Sequence, residues 1–419
     1  MNTGREVLII GGGVIGLCCA WYARAAGHRV TILERGNPGR GGCSLGNAGM
    51  IVPSHFVPLA APGMVRLGVK WMGNPESPFY IRPRLDRELA GWGMRFWRAA
   101  TRRHVDQASP LLRDLNLESR AEFVRLHAEW PGGFGLETRG LLMLCRTGHG
   151  LAEEIAAAER ARQLGLSADV LTPAQLAERE PELRLDVCGG VFFAQDAHLD
   201  PARFFNTLAA GLLERGVRLV HEAGTIEWRR DRRRILAVRA GGSEFGADDF
   251  VLAAGVWSTR LARALDLNLP MQPGKGYSLT LDAPLALLRS CAILTEARVA
   301  VTPMGGKLRF AGTMELSGLD ETVNARRVAG IAKSVAAYLP DFSAAELGRL
   351  PAWCGLRPVS PDGLPYLGRS ERWRNLVVAT GHAMMGLSLA PITGRLVADL
   401  LSDRTPSIPL AMLSPDRYA

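Results

Sequence analysis

Gly11, Gly13 and Gly16, set in the stretch IIGGGVIG, are the first residues whose types and spacing could do chemistry, and that chemistry is the holding of a diphosphate. The first glycine allows a tight strand-to-helix turn, the second lets a diphosphate approach the backbone, and the third lets helix and strand pack closely. Val14 and Ile15 then open a helix whose free N–H groups and positive dipole end favour phosphate. Glu34, eighteen residues after Gly16 and followed by Arg35, supplies an acidic side chain that can accept hydrogen bonds from a ribose.

The elements that must position these residues read directly from the pattern. Val7 to Ile10 is an apolar strand, Val14 to Ala26 a helix and Arg29 to Leu33 a second strand, which completes the context a glycine fingerprint needs before it means dinucleotide binding. The next segment, Gly39 to Pro53, is glycine-rich and carries Ser44, Asn47, Ala48 and Gly49. A nicotinamide-binding domain would proceed to another helix and strand, whereas a loop of this kind can wrap a long cofactor with backbone amides. That favours FAD. Further along, Asp249 to Gly255 is a short apolar strand ending in small residues, with Ala254 a candidate cofactor contact and Gly255 letting the backbone pass close to a cofactor.

Size and composition bound the answer. A chain of 419 residues exceeds the roughly 100 to 200 residues of one domain, which predicts two. With 47% apolar and 22% charged residues it has the composition of a folded globular enzyme. The net charge of +9 comes from scattered arginines without a run of like charges, which argues against a nucleic-acid partner. Seven cysteines with no CxxC pair argue against a metal site, an iron–sulfur cluster or a disulfide framework, and fit a reducing compartment. No apolar run approaches the roughly 18 residues of a membrane span and no signal peptide is visible, so the expectation is a cytoplasmic protein, with contact to the inner membrane surface left open.

Seven stretches, in order, carry a resemblance: VLIIGGGVIGLCCAWYARAAGHRVTILER, SLGNAGMIVP, APGM followed by VKWM, DFVLAAGVWS, PGKGYSLTL, GLRPVSPDGLPYLG and NLVVATGHAMMGLSLAPITGRLVADLL. Together they span Val7 to Leu401, and the chain resembles the FAD-dependent D-amino-acid oxidase superfamily, which includes glycine and sarcosine oxidases, and within it the D-amino-acid dehydrogenases of the small-subunit type. The resemblance implies an α/β fold with a Rossmann-like FAD-binding domain and a second, sheet-based α+β substrate domain, both discontinuous. The implied FAD-binding parts are 1–57, 198–262 and 354–419, and the implied substrate-domain parts are 58–197 and 263–353. Strand-like runs at Gly140 to Cys145, Gly189 to Ala194 and Tyr277 to Leu281 suit a sheet over the flavin. Near the C-terminus a buried strand runs into Gly381 and Gly386. The helical stretch from Leu387 to Leu401 would then aim its N-terminus at the flavin pyrimidine edge, where negative charge develops on reduction.

The reaction so implied is transfer of the Cα hydrogen of a D-amino acid as hydride to the flavin, leaving an imine that water hydrolyses; the cofactor carries the hard step. An arginine offers a planar fork matched to the substrate carboxylate, and Arg357 is the residue the family motif points to. Tyr277 is the expected second contact, through its hydroxyl. Loss of a proton from the substrate amine falls to solvent or to His55 or His382, and the sequence leaves that choice open. Where glycine-oxidase relatives carry a second arginine after the GH pair, this chain has Met384 and Met385, which implies a more apolar floor and a larger or cyclic substrate such as D-proline or hydroxy-D-proline. Cys354 stands near the place where sarcosine-oxidase relatives link flavin covalently. The electron acceptor is expected to be a quinone or a partner subunit; an oxidase using oxygen, or an FAD-holding subunit of a larger complex, are the alternatives. Arg87 to Val105 reads as one basic amphipathic helix, either lying on its own domain or facing an anionic membrane or a partner subunit.

Overall fold

The computed structural model describes residues 4–37 and 42–419, so Gly39, Arg40 and Gly41 of the Gly39 to Pro53 loop lie outside the described residues. The strand Glu6–Ile10, the helix Val14–Ala25 and the strand Arg29–Leu33 form the expected opening unit. The first strand is central in a six-stranded sheet, flanked by Arg29–Leu33 and then Arg218–Val220 on one side, and by Asp249–Leu252, Leu376–Thr380 and Tyr366–Arg369 on the other. All pairings are parallel except the last. Its apolar run reflects burial on both faces. Val7 and Ile9 join the core under the first helix, while Leu8 and Ile10 join a second core on the opposite face. The C-terminal helix Ala390–Leu401 packs on the first helix, with Cys18, Leu17, Ile392 and Leu396 in one cluster.

The second layer is a mixed sheet of nine strands among the described residues. Its order runs Ala352–Val359, Gln272–Asp282, Lys307–Leu316, Val299–Met304, Cys291–Leu294, Leu141–Cys145, Gly189–Phe193 and Asp169–Leu171, with Phe79–Ile81 beside Lys307–Leu316. The three strand-like runs expected for this sheet all belong to it. The strand Ala352–Val359 straddles the boundary placed at 354 and pairs along its length with Gln272–Asp282. The helix Arg102–Glu129, inside the 58–197 stretch, contributes Leu112, Leu115 and Phe123 to the core of the first layer.

Two expectations about helices need correction. Arg87 to Val105 is not one helix: Arg87–Ala99 ends at Ala100, and Thr101 begins the next by accepting the His104 N–H on its hydroxyl. Its apolar face lies on its own molecule, with Trp92 buried against Met314, Leu316 and Val359 and its indole N–H donating to the Val359 carbonyl at 2.9 Å. Before the final helix, Ala383–Met385 forms a short 3-10 turn, and the α-helix itself begins only at Ala390.

Candidate active site

A cavity of about 1810 Å³ runs between the two sheets. At one end, the chain leaves the first strand through Gly11, whose N–H donates to the Leu33 carbonyl at 2.9 Å and whose φ of +112° excludes most side chains. A Cβ there would sit 2.4 Å from the Ala253 carbonyl oxygen, and one on Gly16 would sit 1.9 Å from that of Gly11. The crossing of strand and helix therefore requires both. The first helix starts at Gly13 with no side-chain cap and no acidic residue in its first turn, and Ser44 Oγ accepts the Val14 N–H at 3.1 Å. Glu34 Oε2 accepts the Gly12 N–H at 2.6 Å and Oε1 that of Gly36 at 2.7 Å, which fixes its carboxylate at the end of the second strand. The Arg35 guanidinium stacks 3.9 Å from the Trp257 ring centre.

Residues 42–49 close over this end. Asn47 Oδ1 accepts the Gly49 N–H at 2.9 Å, and Arg309 Nη1, reaching across from the large sheet, donates to the carbonyls of Leu45 and Asn47 at 3.0 and 2.9 Å. A helix start with no cap from its own N-cap residue, a glycine cradle, an acidic group at the second strand's end and a polar loop fit the diphosphate and ribose of FAD. Gly11, Gly13, Val14, Ile15, Glu34, Arg35, Ser44, Asn47, Ala48, Ala254, Gly255, Gly386 and Leu387 all line the cavity. Gly16, Gly49 and Gly381 do not: they act by letting backbone pack, Gly49 against the Leu199 carbonyl and Gly381 against the Tyr366 ring.

Arg357 reaches the other part of the cavity from the strand Ala352–Val359. Its Nη1 donates to the Thr313 carbonyl at 2.7 Å, and it has no carboxylate partner among the described residues. Asp362, the neighbour that could have neutralised it, is instead held by Arg417 through bonds of 2.7 and 3.1 Å. Burial pulls the Arg357 pKa down from the ordinary arginine value, an effect opposed by the Cys43 thiol; a guanidinium stays protonated regardless. A half-buried cation that faces an open cavity, with one carbonyl as its hydrogen-bond partner among the described residues, can receive an anion.

A bulge aims that carbonyl. Lys275 pairs with Glu315 and Tyr277 with Gly312, so Gly276 opposes both Thr313 and Met314. Thr313 takes φ of +70°, rare for a β-branched residue, and its carbonyl turns to the guanidinium. Gly276 is needed here because a Cβ would stand 2.2 Å from both terminal nitrogens of Arg357.

The remaining expected residues are placed less directly. Tyr277 lines the cavity but is 1% exposed, and its hydroxyl donates to Glu315 Oε2 at 2.7 Å. Burial and that carboxylate raise its pKa well above the usual tyrosine value. The hydroxyl proton is thus directed inward, to a network in which Lys275 Nζ lies 3.7 Å from Glu315 and 3.1 Å from Asp320. His382 is buried yet also lines the cavity, shares a hydrogen bond of 3.0 Å with the Thr393 hydroxyl, and is pushed by burial down to about 3, which favours its neutral form. His55 lines the cavity with Nδ1 3.1 Å from Ser54 Oγ. Cys354 points the other way: alternation along its strand puts Trp353, Gly355 and Arg357 on the cavity and Cys354 against the opposite core, its thiol donating to the Glu321 carbonyl at 2.8 Å. Sequence reasoning missed Gly276, Thr313, Glu315 and Ser54. Of these only Ser54, adjacent to His55, carried a local signal.

Comparisons with known proteins give the chain its relatives. The sequence model of the family described as DAO, FAD dependent oxidoreductase, matches residues 6–400. A D-amino acid dehydrogenase of Paramagnetospirillum magneticum is 33% identical, with 99% of this chain and 99% of that protein covered. One from Methylobacterium radiotolerans is 35% identical, with 99% and 100% covered. Among solved structures, glycine oxidase from Geobacillus kaustophilus superposes with a TM-score of 0.80 at 26% identity, over the whole of both chains.

Proposed function

Because the chain belongs to the family of FAD-dependent oxidoreductases, we propose that it oxidises a bulky or cyclic D-amino acid, of the D-proline or hydroxy-D-proline type, and passes the electrons to a quinone at a membrane surface. The activity itself, FAD-dependent oxidative deamination of a D-amino acid, is the one its full-length relatives are named for. The observation that carries the substrate class is Arg357, a cavity-facing guanidinium without a carboxylate partner among the described residues.

FAD, when bound by Gly11, Gly13, Val14, Ile15, Glu34, Arg35, Ser44 and Asn47, supplies a two-electron acceptor for the hydrogen on the substrate Cα. Arg357 anchors the substrate carboxylate with a two-pronged fork, and the Thr313 carbonyl holds one prong still. Anchoring matters because a misplacement of about 1 Å can cost on the order of a hundredfold in rate. Met50, Val52, Trp353, Met385 and Leu387 give the cavity apolar walls, which supports a substrate with an apolar body.

The rim supports the acceptor. Val69 is 69% exposed, Trp97 62% and Met94 50%, and Val69 and Trp97 line the cavity mouth itself. Residues 61–105, which include the helices Met64–Trp71 and Arg87–Ala99, carry nine basic against three acidic side chains. Exposed apolar side chains ringed by positive charge suit an anionic lipid surface, from which a quinone could enter. No helix among the described residues is long and apolar enough to cross a membrane. Vesicles of anionic lipid loaded with a quinone test this: the expected outcome is quinone reduction that outpaces oxygen consumption during turnover of a D-amino acid. Oxygen consumption that accounts for all the electrons would overturn it.

A further inference from the structure

His55 lines the cavity at the head of a row of hydrogen bonds that leads inward through Ser54 to a buried carboxylate. Ser54 Oγ lies 3.1 Å from His55 Nδ1 and 2.5 Å from Asp196 Oδ2, and the Ser54 N–H donates to Asp196 Oδ1 at 3.0 Å. An ionised carboxylate can only accept, so the serine hydroxyl donates to Asp196 and its oxygen must accept from the imidazole. That places the His55 proton on Nδ1 and leaves Nε2 with a bare lone pair and no protein partner among the described residues, in a side chain that lines the cavity. Asp196 is 0% exposed and has no cation within ion-pair range among the described residues. The row of hydrogen bonds therefore runs from the cavity to a blind, unpaired carboxylate.

Oxidation of an amino acid needs its nitrogen lone pair, so the substrate ammonium must first lose a proton. On the reading of the reaction given above, we propose that Asp196 is the terminal acceptor of that proton, which enters at His55 Nε2 and is handed on through the Ser54 hydroxyl. The step balances. The ammonium N–H bond breaks as an Nε2–H bond forms, the Nδ1 proton passes to Ser54 Oγ, and the former Ser54 hydroxyl proton passes to Asp196 Oδ2. The products are a neutral amine, a neutral His55 in its other tautomer, an unchanged serine and a protonated Asp196.

Two features make each member suited to its part. Burial and the charge of Arg298 push His55 down to about 4, so an imidazolium is no resting place and the ring serves as a conduit. Burial pushes Asp196 up to about 7, opposed by the two hydrogen bonds from Ser54 and by the charge of Arg120, so near neutral pH it can hold the proton it receives. The other titratable group that feels this carboxylate is the buried Cys291 thiol, raised far out of the working range. Glu154, also on the cavity wall, is raised by its own burial and opposed by Arg298.

The test uses FAD-loaded protein: wild type, Asp196→Asn, Ser54→Ala and Ser54→Thr. The flavin is reduced anaerobically with a D-amino acid from pH 5 to pH 10, and the infrared carboxyl band is followed in the substrate-free protein. Asp196→Asn and Ser54→Ala are expected to lose at least ~100-fold in reduction rate at pH 7, the scale of a positioned proton acceptor, to recover most of it at pH 10 where solvent strips the ammonium, and to keep wild-type affinity for an unreactive carboxylate. Ser54→Thr restores the wild-type profile. The wild type shows a protonated-carboxyl band that titrates near pH 7 and is missing from Asp196→Asn. Rate profiles that superimpose on the wild type, or the absence of that band, would overturn the proposal. A wild-type flavin that no D-amino acid reduces would overturn the substrate reading instead, with the infrared titration still deciding the state of Asp196.

Discussion

Gly276→Ala perturbs the proposed substrate clamp, Arg357, without changing it chemically. The added Cβ would sit 2.2 Å from both Nη atoms of Arg357, against about 3.4 Å for an ordinary contact, so the guanidinium must retreat by more than 1 Å. It is the end of a flexible side chain, and Gly276 holds no positive φ, so the fold should survive the change. A displacement of that size breaks the 2.7 Å bond to the Thr313 carbonyl and moves the anchored carboxylate, for which a loss on the order of a hundredfold in kcat/KM is expected. The assay is anaerobic reduction of the bound flavin across substrate concentrations, with FAD content and unfolding midpoint measured alongside. Full FAD content with a kcat/KM within about threefold of wild type would mean that the guanidinium position does not set the reacting geometry.

Tyr277→Phe removes the donor to buried Glu315 and is expected to cost about 1.5–3 kcal/mol in urea unfolding with little change in KM; an unchanged stability with a sharply raised KM would instead put the hydroxyl on the substrate. Because Cys354 lies on the face away from the cavity, acid denaturation should release all the flavin from the chain, and colour that remains with the precipitated protein would contradict this. His382 is held near 3 in the fold while an unfolded histidine titrates near 6.5, so the unfolded chain takes the proton first as pH falls, and the stability present above pH 6.5 drains away toward pH 3. His382→Asn should flatten that fall by about 1.4 kcal/mol per pH unit, measured as urea unfolding at a series of pH values; an unchanged slope would mean that His382 is charged in the fold.

What the sequence made legible follows the range of the forces involved. Gly11, Gly13, Gly16 and Glu34 could be read because a strand, a turn and a helix are local, and the phosphate chemistry sits on consecutive residues. Arg357 was legible through its motif, but the bulge that positions it was not, since a register shift between Lys275 and Tyr277 against Gly312 and Glu315 is a property of two paired strands. Tyr277 was expected on the substrate for the same reason: nothing local announces a partner 38 residues away. Asp196 lies 142 residues from Ser54, so the carboxylate behind His55 appears only once the chain is folded. The face of Cys354, in contrast, was readable. Its odd spacing from Arg357 on one strand already puts the two on opposite sides. Thr101, a good N-cap residue inside the supposed single helix Arg87 to Val105, likewise marked the break between the two helices.

On the function proposed above, the Arg357 fork holds the carboxylate of a D-amino acid for oxidation by bound FAD. Anaerobic stopped-flow absorbance of the FAD-loaded protein against a panel of D- and L-amino acids, with proline, hydroxyproline, glycine and sarcosine included, tests it most directly. Rapid bleaching by a D-substrate is expected, foremost a cyclic or bulky apolar one, with a loss of at least ~100-fold in Arg357→Ala that still binds FAD. Bleaching by L-substrates or sarcosine alone, or an Arg357→Ala variant that reacts at the wild-type rate, would contradict it.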